Sequence, residues 1–199
     1  MGRQLALDLP KWGGRRAGAG RPRKHARPGL RGTEVPHLRR PDLSKRYPVH
    51  VTVRVGPGVG YLRSQRRAAL LAQAFRDAHL RFGLRIVHYS IQGNHLHLIV
   101  EAADAASLSR GMQGLCIRVA RRLNALAARR GRVFVDRYHA HALVSRREVA
   151  NAVRYVLDNF RHHAREPLPR RWLDPLSTAA APLSAPGTWL LRAMGRAPS

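Results

Sequence analysis

The sequence predicts an α+β domain of the ferredoxin-like (split βαβ) class: an antiparallel sheet with helices packed on one face, plus a C-terminal helix carrying Tyr155. Three observations carry this reading. Residues 48–55 alternate valine with polar side chains, the period of a half-buried strand. Residues 84–91 and 95–101 are largely apolar runs joined only by Gln92-Gly93-Asn94, a hairpin signal. Two longer stretches, 62–82 and 105–129, repeat apolar residues at helical spacing.

In chain order, Val49, Val51, Val53 and Val55 share one face of the first strand, and His50, Thr52 and Arg54 share the other. Gly56-Pro57-Gly58 stops it. Leu62, Ala69, Leu70, Ala74, Phe75, Ala78 and Leu80 then suit an amphipathic helix that Gly83 ends. His88 lies in the second strand, where an isolated histidine reads as structural. Leu108, Met112, Leu115, Val119, Leu123 and Leu126 form the stripe of the longest helix, closed by Gly131. Residues 133–144 read as extended, with a break near Asp136-Arg137. Ser145 and Glu148 make a capping box for the last helix, residues 146–163. The order is strand, helix, strand, strand, helix, strand, helix.

Composition limits the function. The chain has 199 residues, with 37 Lys plus Arg against 11 Asp plus Glu, a net charge of +26. Arginine exceeds lysine and alanine is abundant, as GC-rich coding produces, but the charge goes beyond that bias. Such an excess repels itself in a compact state and calls for a polyanion, of which nucleic acid is the leading candidate. One cysteine, Cys116, excludes an internal disulfide and a cysteine-based metal site. No apolar run approaches a membrane span and no export segment is evident, so a cytoplasmic, nucleoid-associated protein without a membrane partner is expected.

Residues 1–46 are rich in Arg, Gly and Pro, without a sustained period, and should be disordered in isolation. Within them, the Gly-Arg-Pro core at 20–22, with Arg21, Arg23 and Lys24, is similar to an AT-hook that lies in the minor groove. An electrostatic tail without groove reading is the other account of the same residues. Residues 47–165 form the folded domain. Residues 166–199, rich in Pro, Ala and Ser, read as an irregular tail with Trp172 and Trp189 available to pack it onto the body.

The segment Gly93-Asn94-His95-Leu96-His97 carries the chemistry. In a strand, His95 and His97 point the same way, and two imidazoles about 6–7 Å apart along the chain can converge on one divalent ion. Glu101 ends the strand on that same face. A solvated polar face is the plain alternative. His139 and His141 form a second such pair, but nothing in their surroundings singles them out as ligands. On the last helix, Val149, Val153, Val156, Leu157 and Phe160 form a stripe, and Tyr155 lies about 145° from its centre. Asn159 is one turn further on the same side as Tyr155, with His162 close by. Taken alone, this helix favours reading Tyr155 as an exposed tyrosine without a role.

Together these motifs resemble the HUH single-strand (tyrosine) transposases: a Gly/Pro-Asn-His-hydrophobic-His strand and, about sixty residues on, a Tyr-x-x-x-Asn or Tyr-x-x-x-Gln helix. Within that family the branch associated with repetitive extragenic palindromes is the most similar, over about residues 44–165. The resemblance implies a metal pair at His95 and His97, a nucleophile at Tyr155 and a third polar ligand at Asn159, where relatives often carry Gln. The segment Asn159-Phe160-Arg161-His162-His163 departs from the Asn-Pro of many relatives. It implies, further, a divalent metal, Mg2+ or Mn2+, that polarises a phosphate oxygen, a 5′-phosphotyrosine intermediate, and single-stranded DNA with a hairpin as substrate. A monomer or a homodimer with exchanged tyrosine helices is compatible with it. Two other functions fit the same residues: a non-catalytic nucleic-acid-binding protein on this fold, and a metal-dependent nuclease that uses water.

Overall fold

The alternating valines 49, 51, 53 and 55 are all buried in the computed structural model, which describes residues 42–164 and 167–193, the side chains of His162 and His163 excepted. They belong to β1 (Val49–Arg54) and its end, in the interior of a four-stranded sheet. Its partners are β2 (Leu84–Ile91), β3 (His95–Ala102) and β4 (His139–Ala142), in the order β2-β3-β1-β4, every neighbouring pair antiparallel. This is the split βαβ arrangement expected from the element order.

Two helices, α1 (Gln65–Ala78) and α2 (Ala105–Leu126), cover the valine face. Ala68, Leu71, Ala74, Phe75 and Ala78 from α1 meet Leu108, Met112, Leu115, Val119 and Leu123 from α2, over Leu96, Leu98 and Val100 of β3. A helix of 14 residues is marginal alone in water. Burying each Leu, Phe or Met stabilises by about 1.5–3 kcal/mol, so this layer holds α1. Gly111 lets α2 approach β2: a Cβ there would collide with the Cβ of Leu84.

Helix boundaries depart from the sequence expectation. α1 ends at Ala78, its buried stripe uses Ala68 and Leu71 instead of Ala69 and Leu70, and Leu80 is exposed in a left-handed conformation (φ 63°) before the turn Arg81–Gly83. The reason is register: Leu62 is buried ahead of the helix, in the loop, and does not set its phase. α2 stops at Leu126, itself exposed, three residues before the expected Arg129. Of residues 133–144, only His139–Ala142 make a strand, with an isolated bridge from Phe134 to Val55.

A third helix, α3 (Arg146–His163), lies on the opposite sheet face. There Val149, Ala152 and Val156 pack with Val87 of β2 and Ile99 of β3. β2 carries a bulge at Val87, whose alternation with Ile86 turns it to this face. Ile86 pairs with Val100 and His88 with Ile99, so Val87 is the extra residue. Ser145 caps α3 by accepting from the Glu148 N–H, and Glu148 Oε2 accepts in return from the Val144 N–H.

Residues 167–193 run beside the free edge of β2 and end in α4 (Trp189–Arg192). The Ile91 N–H donates to Leu176 O, the Thr178 N–H to Tyr89 O and the Leu183 N–H to Val87 O. An edge strand is thereby covered. Trp172 reaches the Phe160 ring, whereas Trp189 is exposed with Arg146 over it. Among the described residues no helix is long and apolar enough to cross a membrane.

Candidate active site

The sheet face beneath α3 collects polar side chains by register. Thr52 of β1 lies opposite His97, Arg54 opposite His95, and Ser90 of β2 opposite His97 on its other side. Directly opposed residues share a face, so the polar half of β1 and the two histidines form one surface. His95 and His97 have ring centroids 4.7 Å apart with planes perpendicular.

Each imidazole has its Nδ1 engaged. His95 Nδ1 is 2.8 Å from Asn94 Oδ1, an atom that can only accept, so the proton sits on Nδ1 and Nε2 keeps its lone pair. His97 Nδ1 is 3.2 Å from both Thr52 Oγ1 and His50 Nε2. With its proton on Nδ1, His97 likewise presents Nε2 as a donor to a cation. Its side chain is 3% exposed.

Tyr155 enters from α3. Its ring centroid is 5.2 Å from that of His97 and 5.9 Å from that of His50, edge-on to both, and the residue is 47% exposed. The buried stripe of α3 is Val149, Ala152, Val156 and Asn159, not the expected stripe through Val153, Leu157 and Phe160. Around that observed centre Tyr155 sits at about 80°, on the stripe's flank, where it reaches the sheet and still meets solvent. Asn159 is 1% exposed and its Oδ1 has no hydrogen-bond partner among the described residues.

The donor set fits a divalent cation. Two imidazole nitrogens and a buried amide oxygen match imidazole- and oxygen-binding ions. Among the described residues no three His, Cys, Asp or Glu side chains gather into a group that could hold a metal ion. Glu101, on the same sheet face, is committed elsewhere: its carboxylate accepts from the Gly187 and Thr188 N–H groups at 2.8 and 2.7 Å.

His50 is the residue that sequence reading passed over. It stacks on His97 at 5.3 Å. Burial, with His139 and His141 adding to it, pushes its pKa down to about 4, so the ring is neutral near pH 7. Its signal in the sequence was the parity of β1, which placed it with Thr52; only the pairing with β3 puts that face next to His97. His139 and His141 are exposed on β4, opposite Thr52 and His50, and both help to lower the pKa of His50. His88 has its Nδ1 3.2 Å from Thr178 Oγ1. Arg21, Arg23 and Lys24 lie outside the described residues.

The far half of α3 is held in place by the tail. Arg63 lies 3.4 Å above the Phe160 ring, donates to Ile91 O at 2.6 Å and pairs bidentately with Asp174. Arg161 donates to the carbonyls of Leu168, Pro169, Arg170 and Trp172. These contacts fix the helix carrying Tyr155 and Asn159 against the sheet carrying the histidines.

A family model described as "Transposase IS200 like" matches residues 45–159, which include every one of these side chains up to Asn159. The fold is similar to that of a REP-associated tyrosine transposase solved bound to a REP hairpin, at 16% identity and a TM-score of 0.56, covering 72% of this chain and 82% of that one. A crystal structure from Deinococcus radiodurans R1, provisionally described as a transposase, aligns at 17% identity and a TM-score of 0.42 over 62% of this chain and 95% of that one. No curated protein matches the sequence.

Proposed function

The chain belongs to the IS200-like transposase family, and from that premise we propose that it cleaves and rejoins single-stranded DNA near hairpins, with Tyr155 as nucleophile. His95, His97 and Asn159 would hold a divalent ion, Mg2+ or Mn2+. The observation that supports this reading best is the approach of Tyr155 to His97 within one chain, 5.2 Å between ring centroids. On this reading Tyr155 and His97 of the same chain act together.

When bound, the ion supplies a Lewis acid for a nonbridging phosphate oxygen. The chain's own residues do the rest. Asn94 and Thr52 orient the two imidazoles by holding their Nδ1 atoms. The Tyr155 oxygen forms a bond to phosphorus while the bond to the 3′ oxygen breaks; the phenol proton is given up and the 3′ oxygen takes one. A 5′-phosphotyrosine and a free 3′-hydroxyl result. Attack by the 3′-hydroxyl of a second strand runs the exchange backwards and restores the phenol, so joining requires no ATP. Arg21, Arg23 and Lys24 would add phosphate contacts from the basic N-terminal segment.

The test is incubation with Mn2+ and a labelled single-stranded hairpin oligonucleotide, followed by denaturing electrophoresis. A protein–DNA adduct that survives denaturation, and vanishes in Tyr155→Phe and in His95→Ala, is expected. Binding without cleavage would make this a nucleic-acid-binding protein instead. Cleavage that persists in Tyr155→Phe would make it a nuclease using water.

A further inference from the structure

Beside the candidate site, the loop between β1 and α1 forms an open cleft with no function assigned so far. It is lined by Val55, Gly56, Pro57, Gly58, Tyr61 and Asn94, among others. Three glycines, 56, 58 and 60, strip the loop of side chains, and Gly58 and Gly60 hold left-handed conformations (φ 81° and 87°). A Cβ at Gly58 would meet nothing within 4 Å. Against this backbone stands one flat surface, the ring of Tyr61, 56% exposed. It leans on Gly93, where an added Cβ would come within 3.0 Å of Tyr61 Cε2.

The cleft is built rather than loose. The Leu62 N–H donates to Gly93 O and the Val55 N–H to Asn94 O, both at 2.9 Å, and the Gly56 N–H to Val133 O at 2.7 Å. Arg67 Nε donates to Val59 O at 3.1 Å from beneath the loop. Val59 and Leu62 anchor it in the core. Asn94 is shared: it lines the cleft and its Oδ1 accepts from His95 Nδ1.

We infer that this cleft seats an unpaired nucleobase of the DNA strand next to the scissile phosphate, stacked on Tyr61. The inference rests on the single-strand reading above and adds to it a contact to a base. A glycine-walled slot admits a flat ring closely, and a half-exposed aromatic beside it offers the π-face on which bases of any identity stack. Arg54, exposed on the strand leading into the loop and opposite His95, supplies positive charge at the same end of the sheet for the flanking phosphates. Asn94 of the cleft directly precedes the candidate metal ligand His95, which places the cleft's occupant beside the phosphate to be cut.

Two probes of equal length and charge test this: fluorescein-labelled dT15 and an abasic 15-mer of the same backbone. By anisotropy the full chain should prefer dT15. Tyr61→Ala should lose about tenfold of that preference and Tyr61→Phe should keep it. In dT15 carrying 5-iododeoxyuridine, irradiation should crosslink Tyr61 in the unmutated protein, as read by mass spectrometry, and still do so in Tyr155→Phe. Equal binding of the two probes, a preference that Tyr61→Ala retains, or crosslinks only elsewhere each overturn the inference. The outcome is independent of the adduct assay: adducts with no base preference sink the cleft alone, and a Tyr61-dependent preference without adducts sinks the strand-transfer reading alone.

Discussion

Tyr155 and His97 meet edge to ring, 5.2 Å between centroids, one from a helix and the other from the strand beneath it. This neighbourhood separates two roles. Calorimetric titration with Mn2+ should show His97→Ala losing more affinity than the ~10–100-fold typical of outer-shell changes, with Tyr155→Phe close to the unmutated protein. A loss in Tyr155→Phe as large as in His97→Ala would make the phenol a ligand, and the nucleophile would have to be sought elsewhere.

Thr52 meets the site through His97 Nδ1, at 3.2 Å. Replacing it by valine keeps the shape and removes the oxygen. Mn2+ affinity should fall about tenfold in Thr52→Val and recover in Thr52→Ser, which restores a hydroxyl. An unchanged affinity in Thr52→Val would assign the orientation of His97 to His50 alone.

Asn159 carries a buried Oδ1 that finds no hydrogen-bond partner among the described residues. Leaving such an atom unsatisfied costs about 1–3 kcal/mol, so an apolar side chain of similar shape should fold as well or better without metal. Asn159→Leu is expected to hold or raise the metal-free melting temperature while weakening Mn2+ binding. A lowered melting temperature with intact Mn2+ affinity would make Asn159 a structural residue.

Asp174 and Arg63 form a pair whose side chains are almost wholly out of water. Removing one partner strands a charge there. Asp174→Ala should lower the unfolding free energy by about 3–5 kcal/mol in urea titrations. Because Arg63 also lies on Phe160 of α3, adduct yield should drop with it. A change below 1 kcal/mol by the same principle would mean water reaches the pair.

Asp104 caps α2 by accepting from the Ser107 N–H at 2.6 Å, and that hydrogen bond holds its carboxyl below the usual carboxylate range. A carboxyl held low in the folded state contributes stability above its unfolded value and loses it as pH falls through the folded one. The stability gap between the unmutated chain and Asp104→Ala should therefore be full at pH ~7 and close below pH ~4, followed by thermal denaturation. A gap that stays constant well below that pH would place the cap's contribution outside the charge.

Much of the fold was legible because its signals are local. Valine parity in β1, the Gly93-Asn94 turn and the apolar stripe of α2 each act over a few residues and agree with one another. Errors arose where a neighbour decides the outcome. Its hydrophobicity predicts Phe160 in the core stripe of α3, but Arg63 and Trp172 take it up from the side, and Asn159 occupies the buried position instead. Val87 gave no sign of a bulge, since either strand parity would have buried it.

By itself, then, the sequence determined the element order, the sheet's buried face and the same-side placement of His95 and His97, all consequences of side-chain period along one stretch of chain. What only the tertiary structure decided is which groups face one another across strands and helices. Pairing of β1 with β3 sets Thr52 and His50 on His97, and the packing of α3 on Val87 and Ile99 brings Tyr155 beside the same two rings. Those distances depend on register and packing between segments far apart in the chain, and no local periodicity encodes them.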